Sequence, residues 1–280
     1  MLSEAAIDAV VRAALAEDAP WGDITSELFV PLSAIATAEL NARESGVFSG
    51  GAVVAATFAA VDPAISVDLC IADGARFEAG DVIALVSGPA RGVLRAERIA
   101  LNLVQRMSGI ATLTAAYVAA VAGTSARVVD TRKTTPGLRA LERHAVRCGG
   151  GYNHRFSLSD AVLAKDNHLA LIPGSVTDAI LAARAQLGHT THLEVEVDRL
   201  EQIEPVLAGG VDTIMLDNFS LDELRQGVAL VAGRALVEAS GGVTLDTIAD
   251  IASTGVDIIS VGALTHSVRA LDLGLDVVLR

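Results

Sequence analysis

Apolar residues fall into two textures along this chain, and the change from one to the other divides it. Residues 3 to 16 place Ala5, Ile7, Val10, Val11, Ala14 and Leu15 at helical spacing and predict an amphipathic opening helix. Pro20 and Gly22 end it, and the single tryptophan, Trp21, falls in the turn. Asp23, followed by Thr25 and Ser26, reads as a local cap that satisfies nearby backbone donors. From Thr37 to about Val93 the pattern turns strand-like: TAELNA and ISVDLCI alternate, and DGARFEAGDVIALVSG sets turn signals around a short strand. This predicts a small sheet domain with few catalytic residue types. Residues 93 to 121 form the longest helical stretch, with Gly109 as its expected break or kink. Leu94, Ile99, Leu101, Leu103 and Val104 make its apolar stripe. Arg95, Arg98 and Asn102 share another face with only Glu97 in opposition, and that cationic face is either solvated or in contact with an anion.

Beyond Gly123 the texture becomes a repeat of short apolar strands and helices. Strands are expected at 127–130, 161–164, 192–197, 213–216, 236–238 and 258–261, with helices at 175–187, 200–207, 221–231 and 245–253. Such alternation predicts a parallel sheet with right-handed crossovers, and six units favour a closed (β/α) barrel over an open sheet. The ends of these strands carry the polar residues: Thr131-Arg132-Lys133, Lys165-Asp166-Asn167-His168, Glu196-Val197-Asp198, Asp217-Asn218, Ser240-Gly241-Gly242 and Gly262-Ala263. In a barrel the carboxyl ends of all strands converge on one face, so residues far apart in sequence would share one pocket.

Composition narrows what that pocket binds. The chain of 280 residues has a formal charge of −13, yet Val128–His168 holds seven cations against four acids. A basic patch on an acidic protein suits a small anion and excludes nucleic acid, which the global field would repel. Of the 21 Lys and Arg residues only two are lysines, and both, Lys133 and Lys165, end predicted strands. Lysine supplies a compact charge and rotatable donors where arginine supplies a planar fork, so these positions are candidates for chemistry that arginine cannot perform. No apolar run reaches the roughly 18 residues of a membrane span. The N-terminus has no basic leader, and Cys70 and Cys148 show neither metal spacing nor a disulfide framework, which predicts a cytoplasmic protein.

The late glycines, Gly241, Gly242 and Gly262, let backbone amides approach a phosphate. Glu196 and Asp217 end adjacent strands and could hold Mg²⁺ with substrate oxygens, act as acid and base, or pair with the lysines. Glu194 has the parity of Glu196 and would lie one layer deeper, needing a buried partner. His154 and His168 flank basic clusters and are candidates for substrate contact. Three readings remain open on these residues: an enzyme acting on a small anion, a Schiff-base lyase built on Lys133 or Lys165, and an anion-binding sensor without turnover.

The motifs DTRKTTPGLRALERHAVRCGGGYNHRFSLSDAVLAKDNH, EVEVD, IMLDN, EASGG and VGALTHS closely resemble the quinolinate phosphoribosyltransferases, the carboxylating nicotinate-nucleotide pyrophosphorylases. RAERIALNLVQRMSGIAT and WGDITS extend the likeness over essentially the whole chain. A molybdenum-transport relative shares the scaffold and much of the basic motif set. The resemblance implies an N-terminal α/β sandwich domain (1–105, with 267–280 packing back on it) and an irregular, open (β/α) barrel of about seven parallel strands (106–266), the type II phosphoribosyltransferase architecture. It implies transfer of a phosphoribosyl group from phosphoribosyl pyrophosphate to quinolinate with decarboxylation, giving nicotinate mononucleotide, pyrophosphate and carbon dioxide in NAD biosynthesis. Arg132, Lys133, His154, Arg155 and Lys165, with Thr131, would hold quinolinate. Glu196 and Asp217 would meet the ribose and Mg²⁺, and Ser240, Gly241, Gly242, Gly262 and Ala263 the 5′-phosphate. Lys133, Lys165, Glu196 and Asp217 are the expected catalytic set. Arg98 would reach the site of the other subunit in a homodimer or a higher oligomer.

Overall fold

The computed structural model describes residues 2–278, which form two compact units. The first comprises the residues up to Ala115, Thr134–Gly150 and those from Leu264; the second comprises Ala116–Lys133 and Gly151–Ala263.

The first unit opens with helix α1 (Glu4–Asp18), whose N-terminus is capped by Ser3 and whose buried stripe includes Ile7 and Val11. Asp23 caps the short α2 (Ile24–Phe29), its carboxylate accepting the Ser26 amide at 3.1 Å, which is the local role its sequence context predicts. Strand β1 (Ile35–Ala42), the two-residue β2 (Gly46–Val47), helix α3 (Gly51–Val61), β3 (Ser66–Leu69), the two-residue β4 (Arg76–Phe77), β5 (Val82–Pro89) and helix α4 (Ala90–Ala120) follow. The C-terminal strand Leu273–Val277 pairs antiparallel with β1, giving a sheet in the order C-terminal strand, β1, β5, β3. Alternate residues of β1, namely Ala36, Ala38, Leu40 and Ala42, are buried against Phe48, Phe58 and Val104 in one apolar core. The strand-like texture read over 37–93 conceals α3, because Val53, Val54, Thr57 and Phe58 are all buried and the helix shows little polar face. Gly109 likewise is no break: α4 runs continuously through it. The glycine is needed for close approach, since a Cβ there would lie 2.1 Å from the carbonyl oxygen of Arg269. Helix α5 (Arg139–Cys148) is tied to α4 by Arg106, which donates to the buried Glu142 at 2.8 Å, to Thr135 and to the carbonyl of Thr265.

The second unit is built on β6 (Arg127–Val129), β7 (Val162–Ala164), β8 (Leu193–Val197), β9 (Thr213–Asp217), β10 (Leu236–Ser240) and β11 (Ile258–Ser260). They form one parallel sheet in the order β6-β11-β10-β9-β8-β7. All five residues of β8 are buried, as expected where both sheet faces are covered. Tyr152 adds a single parallel bridge to Val129, a one-residue seventh strand outside β6. Among the described residues no strand pairing joins Tyr152 to β7, so the barrel is open, in place of the closed one that periodicity alone favours. The reason is local: the 153–161 segment is a polar loop, and the Arg155 side chain takes the carbonyl of Ala161 at 2.8 Å. Among the described residues no helix is long and apolar enough to cross a membrane.

Candidate active site

The carboxyl ends of the parallel strands surround a cavity of about 540 Å³. Thr131, Arg132 and Lys133 enter it from beyond β6, and Lys165 from beyond β7. Asp217 comes from the end of β9, and Ser240, Gly241 and Gly242 from the end of β10. His154 and Arg155 complete it from the loop after Tyr152. A second cavity of about 960 Å³ shares Asp217 and Asn218 with the first and is lined by Glu196. The two differ in charge. The smaller collects Arg132, Lys133, Arg155 and Lys165 against Asp217 and Glu238, whereas the larger collects Asp166, Glu196, Asp198, Glu201 and Asp217 with Arg199 as its one cation. Lys165 and Glu196 form a direct ion pair that links them.

The loop bearing His154 is pinned from beneath. Asp130 is fully buried and accepts the Asn153 side-chain amide at 2.6 Å and the His154 backbone amide at 2.8 Å. His154 Nδ1 accepts the Arg155 amide at 2.8 Å, so the ring proton lies on Nε2, which faces Glu194 at 3.1 Å and Glu238 at 3.6 Å. Glu194 thus has the buried partner that its register demands. Burial works against a charged ring, but hydrogen bonds to Glu194 and Glu238 outweigh it and lift the His154 pKa to about 10. A second ring proton is therefore taken up readily, at the expense of the Arg155 amide bond. Burial pushes the Glu194 carboxyl up, although His154 opposes the shift. Burial, followed by the nearby Arg132, lowers the Arg155 pKa. Two guanidinium groups held close enough to feel one another favour an anion between them.

The glycine turn after β10 depends on its composition. Gly241 has φ +97°, and a Cβ on it would lie 2.1 Å from Asn218 Oδ1. Asn218 itself has φ +59°, donates its backbone amide to the Ser240 carbonyl at 2.9 Å and its side chain to Asp217 at 2.7 Å. The amides and small side chains here leave room for a phosphate.

Not every expected residue enters a cavity. Gly262 and Ala263 follow β11 and line neither one, and Arg98 sits on α4 in the first unit, also lining neither. His168 lines neither; its Nδ1 accepts the Lys165 amide at 3.0 Å as a local cap. Conversely, sequence reasoning assigned no role to Asp130 or Glu238. Glu238 was open to detection, since it lies two positions before Ser240 and shares its parity. Asp130 ends an apolar run as the other site residues do, but nothing in the sequence says that its side chain turns to the 153–154 loop and away from the cavity.

For a metal, the groups of three potential ligands among the described residues are Asp73-His144-Cys148 and His154-Glu194-Glu238. Neither includes Glu196 or Asp217. These two carboxylates fit a cation only if substrate oxygens and water complete its shell, which is how Mg²⁺ is usually held.

Comparison with known proteins agrees with this geometry. The chain matches the family described as quinolinate phosphoribosyl transferase in both parts, the N-terminal domain over residues 23–108 and the C-terminal domain over residues 110–276. It is 47% identical over 288 residues to the nicotinate-nucleotide pyrophosphorylase [carboxylating] of Mycobacterium leprae, covering 99% of this chain and 100% of that one. It is 44% identical to the probable nicotinate-nucleotide pyrophosphorylase [carboxylating] of Bacillus subtilis, covering 94% of this chain and 90% of that one. The crystal structure of NadC from Streptococcus pyogenes superposes with a TM-score of 0.94 at 42% identity, covering 100% of this chain and 99% of that one. On a match that spans both domains and on relatives this similar over their whole length, the chain belongs to the quinolinate phosphoribosyltransferase family and is a phosphoribosyltransferase.

Proposed function

We propose that the two adjoining cavities bind quinolinate and phosphoribosyl pyrophosphate and join them with loss of carbon dioxide, giving nicotinate mononucleotide and pyrophosphate for NAD synthesis. The observation that carries this reading is the division of charge: a cationic cavity that meets an acidic one at Asp217.

Quinolinate is a pyridine dicarboxylate, a rigid dianion. Arg132, Lys133 and Arg155 provide the fork donors and point charge that fix its two carboxylates and aim its ring nitrogen. The 5′-phosphate fits the turn at Ser240, Gly241 and Gly242, where Gly241 keeps the backbone open. Attack by the ring nitrogen on the anomeric carbon expels pyrophosphate through an oxocarbenium-like centre. Asp217 and Glu196, on adjacent parallel strands, stabilise that positive charge. Asp217 and Glu196, together with substrate oxygens, would hold Mg²⁺, and the bound ion would supply charge screening for the leaving phosphates. The new pyridinium ring then loses the carboxylate beside its nitrogen, and the electron pair left on carbon is stabilised and protonated from the lysine side of the cavity, by Lys133 or Lys165. The Lys165 amino group is engaged in an ion pair with Glu196, which speaks against its use on a carbonyl and so against a Schiff-base lyase.

The enzyme acts as a homodimer in this reading. Trp21, Ile24, Leu28, Phe29, Leu32 and Ile35 are strongly exposed, Trp21 at 93%, an apolar surface in keeping with a second copy of the chain. Arg98 completes the site of the partner copy. The free cysteines Cys70 and Cys148 suit a reducing cytoplasm.

Mass detection of nicotinate mononucleotide tests the chemistry. Product should form from quinolinate and phosphoribosyl pyrophosphate with Mg²⁺, should vanish in chelator, and should not form when nicotinate replaces quinolinate. Mixing inactive Arg98→Ala and Lys133→Ala proteins tests the dimer: a shared site restores about a quarter of wild-type activity in the mixture. No recovery after verified subunit exchange would place Arg98 in its own subunit's site or outside the chemistry.

A further inference from the structure

A second constellation of reactive groups lies in the first unit and shares no residue with either cavity. α5 presents His144 and Cys148 one turn apart, on one face of the helix. The loop before β4 brings Asp73 to them. His144 Nε2 is 2.6 Å from Asp73 Oδ2 and 3.4 Å from Cys148 Sγ, and Sγ is 3.9 Å from the same carboxylate oxygen. Each residue thus directs one ligand atom toward a common point, within 4.8 Å of the others.

We propose that Asp73, His144 and Cys148 form a binding site for one zinc ion, with water or the Ser49 hydroxyl in the fourth position. The donor set is thiolate, imidazole and carboxylate, the mixture that zinc accepts and that the hard cations Mg²⁺ and Ca²⁺ do not. A tetrahedral zinc sets its sulfur ligand ~3.6 Å from nitrogen and oxygen ligands, and both sulfur distances here lie within roughly 0.3 Å of that value. Only the His144 to Asp73 separation of 2.6 Å is too short, because a proton now occupies the place of the cation; binding parts the two by roughly 0.8 Å.

The surroundings hold the ligands in register. Asp73 Oδ1 accepts the amides of Gly50 at 3.0 Å and Gly51 at 2.9 Å, which leaves Oδ2 directed at His144. Such outer hydrogen bonds orient metal ligands and preserve their charge. The fully buried Ser49 donates its hydroxyl to Cys148 Sγ at 3.3 Å. Gly74, with φ +84°, lets the loop pass the end of α5, where a Cβ would lie 3.3 Å from the Cys148 carbonyl oxygen. A thiolate and a carboxylate together neutralise the ion. In this position zinc would staple α5 to the loop before β4, whose Asp73 in turn holds the start of α3 through two amides.

The site is tested on the full chain, stripped with chelator and then given one equivalent of Zn²⁺ or Co²⁺. One Zn²⁺ per chain should survive desalting, and the Co²⁺ form should show the near-ultraviolet absorption of a cobalt–thiolate bond. Zn²⁺ should also slow alkylation of Cys148 at least tenfold. Cys148→Ser should abolish the cobalt–thiolate band and weaken Zn²⁺ binding by about 100-fold, while Cys70→Ser, at the exposed cysteine, should change neither; circular dichroism confirms that both variants are folded. Two results would overturn the proposal. Wild-type protein that neither retains Zn²⁺ nor shows the band would leave the cluster a hydrogen-bonded cap alone. Zn²⁺ held equally well by Cys148→Ser would place the metal elsewhere, for example on His154, Glu194 and Glu238.

Discussion

The two main sheets of this chain both bury apolar residues, but only one of them also buries carboxylates. The four-stranded antiparallel sheet encloses Ala38, Leu40, Ile83, Ala84 and Val86, packed with Phe48 and Phe58, and its stability comes from apolar area removed from water. The six-stranded parallel sheet buries Glu194, Glu196 and Glu238 on its strands, with Asp130 just past β6. Taking a charge out of water costs several kcal/mol per ion unless partners compensate it, so a fold gains nothing in stability by burying four carboxylates. Their partners explain the arrangement. Glu196 is paired with Lys165, Glu194 and Glu238 with His154, and Asp130 holds the loop that carries His154 and Arg155. One sheet is apolar core alone; the other adds to its core a charged and oriented cavity.

That contrast makes mutations in the two sheets behave differently. Lys165→Ala should have the largest effect, lowering kcat/KM by about 10³-fold through lost charge stabilisation and an unpaired Glu196, with the protein still folded by circular dichroism. Leu40→Ala, in the apolar sheet, should do the reverse: about 3 kcal/mol of stability lost in urea unfolding, with kcat per folded molecule unchanged. Comparable losses of stability and activity in both variants would erase the distinction. Gly241→Ala comes next. The added Cβ meets Asn218 at a positive φ, so KM for phosphoribosyl pyrophosphate should rise by about tenfold or more while that for quinolinate moves less.

The smallest effect concerns pH. The His154 pKa is raised from 6.5 to about 10, so its contribution to stability is whole below about pH 6.5 and is lost as pH rises through about 10. Wild-type urea midpoints should therefore fall between pH 6.5 and pH 10. Glu238→Gln, by removing one of the two carboxylates facing the ring, should flatten that fall. An unchanged pH dependence would show that Glu238 does not govern His154.

The two sheets also differed in how far they could be read from sequence. Parallel strands announce themselves as short apolar runs, and their ends were legible because Lys133, Lys165, Glu196, Asp217 and Gly241 stand out at the moment each run stops. The depth of the site was harder. Glu194 could be placed one layer down by parity, but its partner His154 comes from a loop held by Asp130, a contact that no periodicity encodes. In the other sheet the reverse holds: the alternation in β1 was plain, whereas α3 was invisible because its exposed positions are alanines, such as Ala52, Ala59 and Ala60, and leave no polar face to give it a period. Gly109 shows the same limit. A glycine in a helix signals either a break or a close neighbour, and only the carbonyl of Arg269 decides which.

The most direct test of the account is calorimetric titration of quinolinate into wild-type protein and into Arg155→Ala. If the cationic cavity holds the dianion, the substitution should weaken binding by about 100-fold, or ~3 kcal/mol, and should reduce the salt dependence of the affinity. Unchanged affinity with an unchanged salt dependence would mean that quinolinate binds somewhere other than the cavity at the strand ends, and the account would fail.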